Sequence, residues 1–239
     1  MKYTINKRLP AEWEKQSFLQ FTFPHKNSDW NYLLEEVSAC FAEIIKATAH
    51  FQKVLVVCDN VERVKSYFNV KKNLFFIQSG SNDTWARDHG GITVIENGFP
   101  VIHDYIFNGW GNKFDAGLDN QITKKLFEND VFLQSNLKSY DFVLEGGSIE
   151  SDGKGTILTT SECLLSKSRN PYFSKQDIEN YLKENLGAER VLWLNNGYLA
   201  GDDTDSHIDT LARFSDENTI VYVGCNNPDD EHFDALQKM

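Results

Sequence analysis

Residues 87–105, RDHGGITVIENGFPVIHDY, contain two runs of β-forming residues on either side of Asn97-Gly98. Asn-Gly between two such runs is a strong signal for a hairpin, because both residues accept the left-handed backbone of a type I′ turn. The segment therefore predicts a strand, a tight turn and a second strand. An acidic residue, Asp88, stands at the entrance to this hairpin.

Two later segments repeat the pattern. Residues 144–160, LEGGSIESDGKGTILTT, turn at an Asp-Gly pair, and residues 206–224, SHIDTLARFSDENTIVYVG, turn at SDEN. Their entrance residues are Glu145 and His207, so the three entrances lie 57 and 62 residues apart. Spacings of this size favour a repeated structural unit.

A helical pattern precedes the first hairpin. Apolar residues recur at helical spacing over residues 30–45, with Asn27 or Ser28 placed to cap the start. Cys40 lies within this pattern. We therefore expect its thiol to be buried rather than reactive.

Further helices are predicted between the hairpins, at DNQITKKLF and at SKQDIENYLKENLG, where Ser174 can cap the start and Gly187 the end. The fold class is therefore mixed α/β, in an α+β arrangement of ββαβ-like units. Repetition of such units around an axis would bring the entrance residues to a common centre. No linker or low-complexity segment interrupts residues 1–239, which predicts a single catalytic-type domain.

The 239 residues carry a net charge of −11. Nucleic-acid binding requires a basic surface, so this balance argues against a nucleic-acid partner and is compatible with a cationic small molecule. No signal peptide is evident, and no apolar run approaches the ~20 residues that span a bilayer. We expect a cytoplasmic protein without a membrane partner. The four cysteines form no CxxC pair, and we expect them to be reduced.

The hairpin entrances offer three carboxylates and an imidazole, from Asp88, Glu145, His207 and Asp209. His207 and Asp209 are two residues apart on a predicted strand, which would place both on one face. In one interpretation the carboxylates grip a planar guanidinium through paired hydrogen bonds. His207 then acts as general acid or base.

A second interpretation takes GDDTDSHID as a site for manganese or a similar hard ion, with Asp202, Asp203 and Asp205 joining His207 and Asp209. The segment lacks a second histidine and a defined ligand spacing. A simpler role for at least one of Asp202 and Asp203 is to cap a turn.

The motifs NDTWARD, FNGWGNKF, LEGGSIESDG and GDDTDSHIDTLARF, taken in this order, resemble those of the bacterial agmatine deiminases. These enzymes are similar to the bacterial peptidylarginine-deiminase-like proteins of the guanidine-modifying superfamily. The resemblance implies a pseudo-fivefold α/β propeller. It also implies hydrolysis of agmatine to N-carbamoylputrescine and ammonia, for putrescine and polyamine synthesis, without a metal or an organic cofactor.

Roles for individual residues follow from the same resemblance. Asp88 and Asp209 would hold the guanidinium nitrogens. Glu145 and His207 would flank the reacting carbon, with His207 protonating the departing amine and later helping to activate water. Trp85 would line the substrate channel.

Other polar and aromatic residues receive different expectations. Trp110 of NGWG is either a gate residue of the substrate channel or a packed loop anchor, and the sequence leaves both open. Arg213 is expected to pair with a carboxylate inside the fold, because it would repel a cationic substrate. His25 and His103 are expected to be structural.

The family nucleophile is a cysteine in a Gly-rich His-Cys motif near the C-terminus, and this sequence ends before such a motif. None of the four cysteines fits the motif; Cys163 is interpreted as a small packed residue. Five units of about 60 residues would need on the order of 300. We therefore expect a propeller truncated before its last unit is complete, with little turnover by the isolated chain.

Two other activities stay open: deimination of peptidyl-arginine or free arginine, and guanidinium binding without turnover. Agmatine is favoured by the absence of a secretion signal and by the NGWG and FPHKNSDW motifs. An open propeller would expose strand edges, which is compatible with a homo-oligomer.

Overall fold

The computed structural model of the protein describes residues 6–69, 72–133 and 135–239. Among these residues the strands are, in chain order, Lys7–Arg8 (β1), Leu19–Thr22 (β2), Val54–Cys58 (β3), Leu74–Gln78 (β4), Ile92–Glu96 (β5), Phe99–Ile106 (β6), Asn136–Val143 (β7), Ile149–Ser151 (β8), Thr156–Thr160 (β9), Arg190–Leu194 (β10), Ala212–Asp216 (β11) and Thr219–Tyr222 (β12).

The helices of the described residues are Leu34–Ala49 (α1), Val61–Lys65 (α2), Ala86–His89 (α3), Gly109–Asn112 (α4), Ile122–Glu128 (α5), Ser161–Leu164 (α6), Lys175–Leu186 (α7), Ile208–Leu211 (α8) and Phe233–Lys238 (α9). Turns of 3-10 helix occur at Asp29–Leu33, Asp119–Gln121 and Gly146–Ser148. The predicted mixed α/β class is confirmed. None of these helices is long and apolar enough to cross a membrane.

The chain divides into two compact units. The first unit contains the described residues of Met1–Glu14, Gly91–Phe114 and Gln134–Met239, and the second contains those of Lys15–Gly90 and Asp115–Leu133. Compactness does not establish that either unit folds alone. The expectation of a single domain over residues 1–239 therefore stays a prediction.

All three predicted hairpins form in the first unit. β5 and β6 pair antiparallel around Asn97 and Gly98, whose φ angles of 50° and 86° suit a type I′ turn. β8 pairs with β9, and the turn between them is fixed by Asp152, whose Oδ1 accepts from the backbone N–H groups of Lys154 and Thr156. β11 pairs with β12.

A parallel strand extends two of these hairpins, and β1 adds a fourth strand to the first sheet by pairing antiparallel with β5. β7 pairs parallel to β6, and β10 pairs parallel to β9, so both sheets carry the third strand beside the second strand of the hairpin. This is the strand order expected of ββαβ units. The sheet of β11 and β12 has two strands among the described residues.

A single helical turn stands at each hairpin entrance. Asp88 lies in α3, Glu145 directly precedes Gly146–Ser148, and His207 directly precedes α8. The predicted strand through His207 and Asp209 is therefore wrong. Helical residues two apart point in different directions, so the two side chains do not share a face by strand periodicity.

Polar side chains explain the turn at His207. Thr204 Oγ1 accepts from the backbone N–H of His207, and Thr210 Oγ1 donates to the His207 carbonyl oxygen. Local hydrogen bonds of this kind compete with strand pairing, and they favour helix starts and turns.

The predicted ends of α7 are confirmed. Ser174 and Asp177 form a reciprocal capping box at the start. Gly187 follows the last turn in the left-handed conformation, with φ 74°. A Cβ at Gly187 would lie 2.1 Å from the backbone oxygen of Lys7, the first residue of β1.

We expect Gly187→Ala to lower the free energy of unfolding by at least about 2 kcal/mol, because it adds left-handed strain to a clash with backbone atoms that cannot rotate away. Chemical denaturation measures this change. Gly117→Ala is the matched control, since a Cβ there meets no atom within 4 Å and its φ is not positive. Equal effects of the two substitutions would contradict this interpretation.

The core of the first unit lies between its sheets and α7. Its buried apolar residues are Val94, Tyr105, Phe142, Leu144, Ile149, Ile157, Cys163, Leu164, Ile178, Leu182, Leu186 and Ala188. A second cluster joins Leu158 of β9 to Ile208, Ala212 and Phe214. This cluster holds the segment that begins at His207 against the hairpin that begins at Glu145.

The second unit is built on the parallel sheet β2-β3-β4. β3 is buried along its whole length; Val54, Val56 and Cys58 face one cluster, and Leu55 and Val57 face another with Ile122 and Leu126 of α5. Alternation along a strand therefore supplies the cores on both faces of this sheet.

The helix predicted over residues 30–45 forms, but its start and its buried face differ from expectation. Residues 29–33 form a 3-10 turn, and the Ser28 hydroxyl donates to the His25 carbonyl oxygen instead of capping the helix. The buried face contains Ser38, Ala42 and Ile45, so the predicted burial of Cys40 is wrong and its side chain is exposed.

Candidate functional site

Three chemically active side chains meet in the first unit. Carboxylate, thiol and imidazole atoms of Glu145, Cys163 and His207 all lie within 4.8 Å of one another, and all three residues are buried. Of the four residues predicted to meet, Asp88, Glu145, His207 and Asp209, this cluster contains Glu145 and His207. Cys163 is packed against the core, as expected, but its closeness to this pair was not predicted.

The hairpin of β8 and β9 positions two of the three residues. Glu145 stands before it, where Ser148 Oγ donates to the Glu145 carbonyl oxygen at 2.7 Å. Cys163 stands after it in α6, where Thr160 Oγ1 accepts from the Cys163 backbone N–H at 3.3 Å. The third, His207, begins the segment that packs against this hairpin through Ile208.

A tight turn presents His207. Asp202 holds the turn, because its Oδ1 accepts from the Thr204 backbone N–H at 3.0 Å and its Oδ2 accepts from the Ser206 backbone N–H at 2.6 Å. The capping role expected of Asp202 is confirmed. Asp205 and Ser206 adopt left-handed backbone conformations, with φ 64° and 58°. Such strained residues persist where the surrounding structure holds them, and they cluster at functional sites.

The oxygen-rich metal site considered for residues 202–209 does not form among the described residues. The carboxylate of Asp202 accepts bonds from its own turn, and that of Asp205 accepts from Lys113 and Arg169. The cluster of candidate ligands that does converge has a thiol and takes only His207 from this segment.

Sequence reasoning missed Arg169, which is bound to Glu145. Arg169 Nε donates to Glu145 Oε1 at 2.8 Å and to Oε2 at 3.1 Å, and both side chains are 0% exposed. Its Nη1 donates to Asp205 Oδ2 at 2.6 Å, and its Nη2 donates to the Thr204 carbonyl oxygen at 2.9 Å. One guanidinium therefore joins Glu145 to the turn that presents His207.

Burial and charge oppose each other in this pair. Burial raises the pKa of Glu145 above its ordinary value, although the charge and hydrogen bonds of Arg169 pull it down. Burial lowers the pKa of Arg169, but the charges of Cys163, Glu145 and Asp205 outweigh it and the net pKa is raised. Arg169 therefore stays charged, and any further cation beside Glu145 would favour its carboxylate form.

The NGWG loop braces the segment that carries Arg169. Asn108 Nδ2 donates to the Ser168 carbonyl oxygen at 2.9 Å, and a Cβ at Gly111 would lie 2.3 Å from Ser168 Oγ. Lys113 Nζ donates to Asp205 Oδ1 at 2.5 Å. The segment from Asn108 to Lys113 thus contacts both Ser168, which precedes Arg169, and Asp205, which accepts a hydrogen bond from Arg169.

Trp110 sits inside this loop in a strained conformation. It has φ 55° and ψ 49°, lies almost wholly buried, and packs edge-to-face on Phe107 and Phe114 with ring centroids 5.0 and 5.6 Å away. Of the two roles that the sequence left open, this packing favours the loop anchor.

Asp209 of α8 lies near Arg213 of β11. Arg213 Nε donates to Glu150 Oε2 at 2.8 Å, which confirms the expected pairing with a carboxylate. Burial lowers the pKa of Arg213, but the charges of Glu150, Glu12 and Asp209 raise it overall. Asp209 is thus partly buried and close to a guanidinium of the protein itself.

The remaining predicted site residues, Asp88 and Trp85, belong to the second unit. Asp88 is buried in α3, whereas Trp85 is 48% exposed and its Nε1 donates to Asp83 Oδ2 at 3.2 Å. The exposure of Trp85 argues against an ordinary core aromatic. The Asp119 carboxylate accepts from the backbone N–H groups of Asn82 and Asp83, and so fixes the loop that carries Trp85.

Two histidines expected to be structural are confirmed as such. His25 Nε2 lies 3.0 Å from Ser81 Oγ in the second unit. His103 in the first unit lies 3.1 Å from Glu96 and 3.2 Å from the Tyr105 hydroxyl. Both side chains are buried, and their ring nitrogens make these contacts.

His89, next to Asp88, gives the protein a pH dependence. Burial lowers the pKa of His89 from 6.5 to about 4. Between these values the unfolded chain binds a proton that the folded chain excludes, so this residue makes stability rise with pH. We expect His89→Gln to remove an increase of about 3 kcal/mol between pH 4 and 6.5. Denaturant titrations at several pH values measure it.

Asp119 is a control for His89, because its pKa shift changes stability with pH in the opposite direction. Burial raises its pKa from 3.8 to about 6, so the folded chain binds the extra proton and stability falls as pH rises through this window. We expect Asp119→Asn to steepen the rise of stability with pH that His89→Gln flattens. If both variants changed the slope in the same direction, the assignment of these pKa shifts would be wrong.

Known proteins are similar in sequence to nearly the whole of this chain. A sequence model of the family described as Porphyromonas-type peptidyl-arginine deiminase matches residues 8–239. The agmatine deiminase of Pseudomonas aeruginosa is 34% identical over 238 residues, which are 95% of this chain and 62% of that protein. The chain spans 62 to 66% of the length of this and another curated relative that it matches.

Solved structures are similar over nearly the whole chain. An agmatine deiminase of C. jejuni with a serine in place of one cysteine, and with substrate bound, is 43% identical with a TM-score of 0.95. It covers 100% of this chain, which covers 71% of it. The agmatine deiminase of Enterococcus faecalis is 29% identical with a TM-score of 0.86, over 98% of this chain and 65% of that one.

Proposed function

Because the chain belongs to the Porphyromonas-type peptidyl-arginine deiminase family, we propose that it acts as an agmatine deiminase, which hydrolyses agmatine to N-carbamoylputrescine and ammonia. The observation that carries this proposal is the buried carboxylate of Glu145 beside the imidazole of His207. The agmatine deiminases to which the chain is similar support the choice of reaction.

In the proposed reaction the chain supplies binding and proton transfer. Glu145 accepts hydrogen bonds from the guanidinium, whose planar N–H edge matches a carboxylate. His207 protonates the terminal nitrogen as the C–N bond breaks and ammonia leaves. It then takes a proton from the water whose oxygen forms the new C–O bond.

A cysteine thiolate is the nucleophile that the family resemblance implies. It adds to the guanidinium carbon before ammonia leaves, and water later displaces it. The C. jejuni variant that lacks one cysteine was solved with substrate bound, which is what such a mechanism leads one to expect of that protein. We assign the nucleophile to none of the four cysteines of this chain.

Substrate-binding roles for Asp88, Asp209 and Trp85 rest on the family resemblance. Asp88 and Asp209 would hold guanidinium nitrogens, and the exposed ring of Trp85 would line the channel. Trp110 would contribute by anchoring the loop that braces Arg169. Putrescine synthesis is the pathway that this product would feed.

The proposed architecture is a pseudo-fivefold propeller. Two hairpins completed by a parallel strand, and a third hairpin of the same kind, support this arrangement. Fivefold symmetry would further require the parallel sheet β2-β3-β4 to be a variant of the same unit.

The substrate is tested by measuring ammonia and ureido product from agmatine, free arginine and a blocked arginine peptide. The assay uses this chain and a polypeptide extended to the length of its relatives. Preference for agmatine supports the proposal, and preference for the peptide overturns the choice of substrate.

Calorimetry with agmatine on the 239-residue chain separates turnover from binding. Saturable heat without ammonia release would favour a guanidinium-binding protein over an enzyme. Absence of both from the extended polypeptide would overturn the proposed function.

A further inference from the structure

A second kind of cation fits the cluster at Glu145. We propose that Glu145, Cys163 and His207 form an inhibitory site for a thiophilic divalent cation, of which Zn²⁺ is the best match. The inhibitory part of this inference rests on the proposed function, because it requires Glu145 and His207 to serve the guanidinium substrate.

The donor set selects the metal. A thiolate, an imidazole nitrogen and a carboxylate oxygen are the three ligand types that zinc binds in proteins, whereas magnesium and calcium take oxygen ligands. Three protein ligands also leave a fourth position of a tetrahedral zinc for water. The cluster Glu145, Cys163 and His207 supplies one donor of each kind.

Small side-chain movements would bring the three donor atoms to the distances found between zinc ligands. The three donor atoms lie within 4.8 Å of one another. Ligand atoms of a tetrahedral zinc with bonds of 2.0 to 2.3 Å lie about 3.3 to 3.8 Å apart. Contraction by roughly 1 Å, which rotation of the side chains can supply, brings this cluster to zinc geometry.

Arg169 does not block the cation. It uses one nitrogen to reach both oxygens of Glu145, and a carboxylate has about four lone-pair positions, so lone pairs of Glu145 remain for a metal. Binding replaces the thiol proton with the metal, and the proton passes to solvent.

Occupancy by a metal would exclude the substrate. Glu145 cannot present its free oxygen positions to a guanidinium while they ligate zinc, and a metal-bound imidazole nitrogen cannot carry the proton that the leaving amine requires. Zinc is therefore expected to act as a competitive inhibitor of agmatine binding.

Cobalt titration tests the site directly. Co²⁺ adopts the same tetrahedral sites as a spectroscopic substitute, and a thiolate ligand gives a charge-transfer band in the near ultraviolet. We expect one Co²⁺ per chain with this band, displaced by Zn²⁺. Cys163→Ser should weaken Co²⁺ binding at least 10-fold and abolish the band.

Cys58→Ser is the matched control, because Cys58 is also fully buried but belongs to the other unit and is absent from the cluster. It should change Co²⁺ affinity less than twofold. If Cys163→Ser fails to give the circular dichroism of the parent chain, His207→Gln replaces it and should weaken Co²⁺ binding equally. Retention of the band in a folded Cys163→Ser chain overturns the proposal.

Competition separates this inference from the proposed function. Saturating agmatine should raise the apparent Kd for Co²⁺ at least 10-fold. If agmatine leaves the thiolate band unchanged, the metal site stands. That result would overturn its inhibitory role and the assignment of Glu145 and His207 to the substrate. Agmatine binding in a chain that gives no band overturns the metal site alone.

Discussion

Replacing Arg169 with methionine is expected to lower the free energy of unfolding by about 3 to 5 kcal/mol. The guanidinium is 0% exposed and compensates two carboxylates, those of Glu145 and Asp205. Methionine fills a similar volume but leaves Glu145 fully buried without its cationic partner. Equilibrium denaturation in urea, with the slope checked against the parent chain, measures the change.

The matched control is Arg63→Met. Arg63 also pairs with one aspartate, Asp59, but both side chains are about one third exposed, so the loss is expected to stay near 1 kcal/mol. Glu145→Gln should recover part of the stability lost by Arg169→Met, since it removes the uncompensated charge. Strictly additive effects of the two substitutions would contradict a direct buried ion pair.

The hairpins could be predicted from sequence because their causes are local. Asn97-Gly98 and the Asp152 turn specify backbone angles that few other residues accept, and alternating apolar residues then set the strands. The capping box of α7 is local in the same sense. Signals confined to four or five residues do not depend on what the rest of the chain does.

The first helix shows where this reasoning fails. Its apolar residues extend beyond one face, so spacing alone could not decide between the face with Ala42 and Ile45 and the face with Cys40 and Ile44. Strand β3 of the second unit packs against Ala42 and Ile45, which leaves Cys40 and Ile44 exposed. Tertiary packing, and not helix periodicity, selected the buried face.

Only part of the candidate site could be predicted from the sequence. Glu145 and His207 could be paired because the repeat places both at hairpin entrances. Arg169 could not, since SKSRNP has the composition of an exposed loop, whereas in the fold the Arg169 side chain is buried and binds Glu145 and Asp205. Cys163 resembles any core residue, and its neighbours across the hairpin are set by tertiary structure alone.

Replacing His207 with glutamine is expected to lower the turnover of agmatine by about 10²- to 10⁴-fold. Glutamine can still donate and accept hydrogen bonds, but it cannot transfer a proton to the leaving nitrogen near neutral pH. Agmatine affinity should fall less than about tenfold, because Glu145 keeps the guanidinium contact. Ammonia release gives kcat, and calorimetry gives Kd, in the polypeptide extended to the length of its relatives.

His103→Gln is the matched control for this substitution. His103 is likewise buried in the first unit, but its partners are Glu96 and Tyr105, which take no part in the proposed chemistry. We expect it to lower stability while kcat stays within about threefold of the parent, because no proton transfer to substrate is lost. If both histidine variants lost turnover equally, a general loss of structure would explain the result, and His207 would no longer be assigned the proton transfer.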